Sequence, residues 1–247
     1  MKRVLIATAH PDDLENGIGG TLTLLALAGF ELHSLVMTLP CDAHQNAVRR
    51  VESIDSHAGL GVIPIFWDEP DGALEVTQRL RTMMQVAYDN IMPDIVLTLW
   101  PADVHPDHRA CADIAMGPAL KHGVNTELLC FEVCSSGRNT AEFRPQSIGF
   151  FPTHYVDTSM AQKQKRMLMD CHQSQDPEGM WAGMRNMHER RAIEAGGSGG
   201  SYKEAFVRLT RCGVMAPVLS EIFEQTTRIL PRGIGVHFKP ETIGISV

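Results

Sequence analysis

Basic residues are in the minority in this 247-residue chain: 22 Lys and Arg stand against 29 Asp and Glu, for a net charge of -7. No cluster of them makes a stripe with interleaved aromatics, which argues against a nonspecific nucleic-acid surface. Long hydrophobic runs are missing too. The apolar stretch opening at Val4 stops within about six residues, at His10, short of the roughly seven to fifteen residues of a signal-peptide core. Nothing approaches the roughly 20 apolar residues of a membrane span, so a cytoplasmic location is expected. The six cysteines, at 41, 111, 130, 134, 171 and 212, form no Cys-x-x-Cys pair, which leaves neither a zinc knuckle nor a disulfide frame. They are expected to be reduced, with Cys130 and Cys134 as small buried groups sharing one face of a strand. There is no internal repeat. A dinucleotide loop is absent as well: Asn16-Gly17-Ile18-Gly19-Gly20 follows a strand and opens a helix but lacks the G-x-G-x-x-G spacing. Those glycines read instead as points of close approach between the helix and the sheet or the preceding loop.

What is present is a regular alternation. Val4 to Ala9, Glu31 to Thr38, Val62 to Phe66, Ile95 to Leu99 and Glu127 to Val133 are rich in aliphatic or β-branched residues and read as strands. Helix-length segments lie between them, at Gly17 to Ala28, Ala43 to Gly59, Val76 to Asn90 and His108 to His122. Such alternation over the first 135 residues or so predicts an α/β fold, a Rossmann-like doubly wound and mostly parallel sheet. Residues 136–247 read as a smaller, less regular C-terminal part of one domain spanning 1–247. Within it, Ser135 to Pro152 is polar and turn-rich, Tyr155 to Asp157 a short strand, Ser159 to Cys171 a helix, and Pro217 to Leu230 a last helix before irregular structure from Gly233 to Val247. Gly196 to Gly200 reads as a flexible loop able to act as a lid.

In a sheet of strand order 3-2-1-4-5 the first and fourth strands are neighbours, and ligands collect in the crevice beyond their carboxyl ends. Ala9-His10-Pro11-Asp12-Asp13 follows the first of these and His105-Pro106-Asp107-His108 the fourth, so the two segments are expected to share a pocket. Together they offer three histidines and three carboxylates. His10 and Asp13, three apart at a strand-to-helix turn, can point into one site, and His108 can close a set of two imidazoles and one carboxylate suited to Zn²⁺. Asp12 is then left beside the metal as a general base for an activated water. His105 can protonate a leaving amine or stabilise an oxyanion, with Asp107 supporting its protonated form. Either segment alone reads as an ordinary turn with an aspartate cap; finding both at these two positions favours a metal site.

Ala9 to Glu15 and His105 to His108 resemble the two motifs of the PIG-L/LmbE-like zinc-dependent N-acetylglucosamine deacetylases. The resemblance continues through Gly19 to Leu22, Arg49 to Glu52, Leu60 to Val62, Asp71-Gly72, Pro93 to Val96, Lys165, His172 to Gln175 and Tyr202 to Phe206, about residues 3 to 208. It implies His10, Asp13 and His108 as Zn²⁺ ligands (Fe²⁺ or another divalent transition metal being the alternative), Asp12 as base, His105 with Asp107 as the acid and oxyanion pair, and Arg49 and Asp71 as substrate binders. Asp103 is expected as an outer partner or a turn residue, and His172 as a pocket residue or a structural hydrogen bonder. The chain departs from the family pattern in having Phe131 where a tyrosine often assists the oxyanion.

The expected activity is hydrolytic removal of the acetyl group from an N-acetylglucosamine-type sugar or its conjugate. An amidase acting on a glucosamine-thiol conjugate is the nearest alternative. Two histidines and a carboxylate also make the facial triad of nonheme Fe(II) oxygenases, although Asp12 would have no task there. A sugar-binding protein without activity is the third reading. The expected partner is a small amino-sugar substrate, with a second copy of the chain as a further candidate and with neither nucleic acid nor membrane.

Overall fold

A computed structural model describes residues 1–122, 126–134 and 149–209. The expected last helix at 217–230, the tail at 233–247 and residues 135–148 lie outside them. The described strands are β1 (Arg3–Thr8), β2 (Glu31–Leu39), β3 (Ile65–Pro70), β4 (Ile95–Leu99), β5 (Glu127–Phe131), β6 (His154–Asp157) and β7 (Lys203–Leu209). They form one sheet in the order β3-β2-β1-β4-β5-β7-β6. The first five are parallel, as the alternating pattern predicts, and β7 and β6 add an antiparallel edge. Helices α1 (Asp13–Leu27), α2 (Ala43–Ala58), α3 (Gln78–Ile91), α4 (Pro106–His122), α5 (Gln162–Met169) and α6 (Pro177–Glu194) accompany them.

β1 is central, paired with β2 through Ala7–Leu35 and with β4 through Ala7–Thr98. Its residues Val4 to Ala7 are fully buried, which is why the run is continuously apolar rather than alternating. Two threonines fix its exit. Thr38 donates its backbone N–H and its hydroxyl to the Ala9 carbonyl, each at 2.8 Å, and the Thr98 hydroxyl donates to the Ala7 carbonyl at 3.1 Å.

Several boundaries differ from the sequence reading. The third strand starts at Ile65 rather than Val62, because Gly61 adopts φ 71° and the Val62 N–H bonds back to the His57 carbonyl, making a turn of that stretch. The first helix begins at Asp13, not Gly17, since the Asp12 carbonyl already accepts from the Asn16 N–H. Cys130 and Cys134 are both buried, but β5 ends at Phe131, so no strand puts them on one face. Gly179 onward, unpatterned in the sequence, continues α6, which Asp176 caps through the Gly179 N–H with Pro177 in the first turn. Gly196 to Gly200 forms a tight turn between α6 and β7, with the Gly197 N–H on the Ala192 carbonyl.

α1 is bent at Ile18, whose φ/ψ of -137°/18° leaves the helix. At the bend, side chains meet the backbone groups of the helix. Lys165 Nζ donates to the Asn16 carbonyl at 2.9 Å, while Glu204 of β7 accepts from Gly20 (2.9 Å) and Thr21 (2.6 Å). Lys165 and Glu204 close on each other at 2.7 Å, both fully buried. The glycines explain the approach: a Cβ on Gly17 would stand 2.6 Å from the Phe131 ring, and one on Gly20 2.7 Å from Thr158 Cβ.

Candidate metal centre and substrate pocket

The two sequence motifs meet at the carboxyl ends of β1 and β4, as strand order predicts. His10 Nδ1 lies 3.1 Å from His108 Nε2 and 3.4 Å from Asp13 Oδ2, and His108 Nε2 lies 3.2 Å from Asp13 Oδ1. Donors bound about 2.0–2.1 Å from a common tetrahedral centre stand roughly 3.3 Å apart, so the spacing fits a divalent ion. Two buried imidazole nitrogens at this distance also need a proton or a cation between them. The residues present fit the group.

Each of the three is held from behind. Asp13 Oδ2 accepts the backbone N–H groups of His10 (2.7 Å) and Ala9 (3.1 Å), which turns Oδ1 toward His108. His108 Nδ1 faces Asp103 Oδ2 at 3.3 Å, and His10 Nε2 faces both Asp71 Oδ1 and Asp107 Oδ2 at 3.3 Å. A carboxylate behind a ligating imidazole fixes its tautomer and leaves the other nitrogen free to coordinate. Asp103 thus stands where an outer partner is expected.

Electrostatics follow the same geometry. Burial pushes the His10 imidazole down, but Asp13, Asp107 and Asp71 outweigh it and hold its pKa well above the ordinary value. His108 is carried up to about 9 in the same way, against burial, by Asp13 and Asp103. Asp13 is buried yet lies well below the carboxylate range because His108 and His10 face it. Other sets of donors lie close by: His10, His105 and His108, and His10, Asp71 and Asp107, have ligand atoms within 4.8 Å of one another. Asp107 also accepts from Gly72 N–H (2.7 Å) and Leu74 N–H (3.1 Å); against burial, the bond to His10 first and then these two backbone bonds depress its pKa to about 2.

Those bonds correct one expectation. The Asp107 carboxylate does not reach His105, because at the start of α4 it points back to the Asp71–Leu74 loop and to His10. Instead the Asp107 backbone N–H donates to His105 Nδ1 at 3.2 Å, which leaves Nε2 as the ring's proton-bearing nitrogen. Burial and the neighbouring His10 and His108 lower the His105 pKa, so the neutral donor form is favoured. The ring stands edge-on to His10 and stacked on His108, with centroids 4.7 and 4.8 Å away.

Asp12, half-buried beside the cluster, accepts from Arg49 Nη2 at 2.7 Å, and Arg49 Nη1 donates to Asp71 Oδ2 at 3.2 Å. Arg49 pairs with these two carboxylates and not with Glu52, which holds the Ser174 N–H and hydroxyl instead. Buried His10, Asp13 and His108 therefore form the floor, while the more open Asp12, Asp71 and His105 form the rim.

Sequence reasoning missed a polar layer beneath the floor. The buried residues of α2 are Arg49, Glu52, Ser53, Ser56 and His57, a helical stripe that would be apolar in an ordinary surface helix. Ser53 donates to the Pro11 carbonyl at 3.3 Å, Ser56 bonds Glu15, and His57 sits between the Ser53 carbonyl (2.7 Å) and Ser34 (2.8 Å). The spacing 49, 52, 53, 56, 57 was the available signal.

Comparison with known proteins finds relatives of this chain. Residues 5–118 match the family model PIG-L, described as GlcNAc-PI de-N-acetylase, and both motifs fall inside the match. Residues 5–118 are thus similar to a PIG-L domain. It is 29% identical over 198 residues to the diacetylchitobiose deacetylase of Thermococcus kodakarensis, covering 73% of each chain. Among solved structures it resembles N,N'-diacetylchitobiose deacetylase from Pyrococcus horikoshii (TM-score 0.67, 22% identity, 84% of each chain). It also resembles GalB, the 4-carboxy-2-hydroxymuconate hydratase of Pseudomonas putida KT2440 (TM-score 0.72, 18% identity, 88% of this chain and 100% of that one). At such identities these two likenesses concern the fold alone.

Proposed function

We propose that this protein is a metal-dependent hydrolase that removes the acetyl group from an N-acetylglucosamine-type amino sugar or its conjugate. The observation that carries the reading is the convergence of His10 Nδ1, His108 Nε2 and the Asp13 carboxylate within 3.1–3.4 Å, with Asp12 beside them. The deacetylase names of its relatives point to the same chemistry. His10, Asp13 and His108 would hold the ion, with Zn²⁺ the first candidate and Fe²⁺ the second. Such an ion, when bound, supplies Lewis acidity and lowers the pKa of a coordinated water to about 7.

The chain's own groups do the rest. Asp12 accepts a proton from the attacking water as its oxygen adds to the amide carbonyl carbon. Arg49 holds that carboxylate in place and, with Asp71, provides polar groups at the rim for sugar hydroxyls. His105 Nε2–H donates a hydrogen bond to the carbonyl oxygen as it gains negative charge, and the proton that Asp12 took from the water passes to the departing nitrogen. The carbon–nitrogen bond then breaks, giving a free amine and acetate.

The test is acetate release from a panel of N-acetylglucosamine conjugates, in parallel with water addition to an unsaturated acid because a hydratase shares the fold. Acetate lost on chelation and on Asp12→Asn is the expected result. Turnover of the unsaturated acid with no acetate from any sugar would overturn the reading.

A further inference from the structure

Glu15 lies in the first turn of α1, two residues past Asp13, and is fully buried. Oε1 accepts from the Ser56 hydroxyl and lies 3.6 Å from His57 Nδ1 of α2. Oε2 faces His172 Nε2 at 3.4 Å, and neither atom has another polar neighbour within hydrogen-bonding reach among the described residues. His172 is fully buried and comes from the C-terminal part, between α5 and the 3₁₀ turn Gln173–Gln175. It cannot drift. Its N–H is bonded to the Met169 carbonyl, its carbonyl to the Gln175 N–H, and Ser174 is pinned to Glu52.

The turn that carries Asp12 and Asp13 is thus held from three sides. Backbone N–H groups hold Asp13, Ser53 holds the Pro11 carbonyl, and Glu15 anchors the first helical turn. The last hold reaches the C-terminal part through His172, and Lys165 makes a second link from that part to the neighbouring Asn16 carbonyl. A buried carboxylate oxygen that loses the one group facing it is left unpartnered and must move, which would shift the helical turn attached to it.

We propose that His172 is a positioning residue for the ligand turn of the metal centre, acting through Glu15. The inference rests on the reading that His10, Asp13 and His108 hold a metal, and outer partners of this kind contribute about 10–100-fold in metal affinity.

Titrating Co²⁺ into the full-length metal-free protein, followed by visible absorption, reads the centre without reference to turnover. His172→Phe and Glu15→Gln should each weaken Co²⁺ binding about tenfold and alter the absorption band, with far-UV circular dichroism unchanged. The double variant should be no weaker than the worse single one, because both changes break one link. His172→Gln, which keeps a donor, should recover most of the loss. Wild-type affinity and spectrum in a folded His172→Phe protein, or losses that add in the double variant, would overturn the proposal. Should His172→Phe fail to fold, the near-isosteric Glu15→Gln decides alone, and unchanged Co²⁺ binding there overturns it. A wild-type protein that binds Co²⁺ but releases no acetate would remove the deacetylase reading and leave this inference standing.

Discussion

Arg49 Nη2 donates to Asp12 Oδ1 at 2.7 Å, and the same guanidinium reaches Asp71 with its other nitrogen. A planar fork can serve two carboxylates at once, whereas an ammonium is a point charge on a flexible stem. Arg49→Lys should therefore lower kcat/KM by about 10²-fold, the effect expected of a group misplaced by about 1 Å. The loss should be divided between a raised KM and a lowered kcat, because Arg49 touches both the base and the rim. A full set of steady-state constants at wild-type level would contradict the assignment.

Asp12→Asn keeps the shape and removes the proton acceptor. It should cost about 10²–10⁴ in kcat while metal content, read by elemental analysis, stays stoichiometric. Loss of metal in this variant would place Asp12 among the ligands instead.

Asp103 is buried and faces His108 Nδ1 at 3.3 Å while accepting the His105 N–H at 2.8 Å. Asp103→Ala should weaken metal binding by about 10–100-fold, measured by competition with a chromogenic chelator. Excess metal should restore much of the activity, which it would not do if Asp103 touched the substrate.

Stability should depend on pH through His172. Burial pushes this imidazole down, but Glu15 foremost, with Asp12 and Glu52, carries its pKa above the ordinary value. A folded pKa above the unfolded one means that the stabilising contribution is complete below about pH 6.5 and fades as pH rises through the folded value. In chemical denaturation the gap between the wild-type protein and His172→Gln should be widest below about pH 6.5 and close on the alkaline side. A gap that widens with rising pH would contradict the sign.

Two glycines make a paired test of close approach. Gly20→Ala would drive a Cβ to 2.7 Å from Thr158 Cβ and 2.9 Å from Glu204 Oε1, and should destabilise by about 1–3 kcal/mol. Gly117, in α4, has open space where its Cβ would go, so Gly117→Ala should stabilise by about 0.4–1 kcal/mol. Thermal melts of the two variants should move in opposite directions.

The parallel half of the sheet was legible because five apolar runs alternate with helices, and the β1–β4 crevice followed from strand order. The convergence of His10, Asp13 and His108 was legible for the same reason: they follow two strands that must be neighbours. The antiparallel edge was not, because β7 enters between β5 and β6 through contacts distant in sequence. Asp107 was given to His105 on proximity in the chain, but a carboxylate three bonds from its own backbone can turn to another loop, and it turned to Gly72 and Leu74. Nor could spacing reveal the Glu15–His172 contact, since a histidine with no periodic partners carries no sign of what it meets.

The bend in α1 has a consequence for the order in which the molecule is built. Lys165 and Glu204 bond the Asn16 carbonyl and the Gly20 N–H on either side of it, so the helix behind the first motif is braced by two residues from much later in the chain. Synthesis proceeds from the N-terminus. A nascent chain that has not yet emerged past β7 lacks this brace at the bend. On the proposed ligand set, the turn carrying His10 and Asp13 would therefore be complete for a metal only after the last described strand has docked, rather than at the moment when both motifs have left the ribosome.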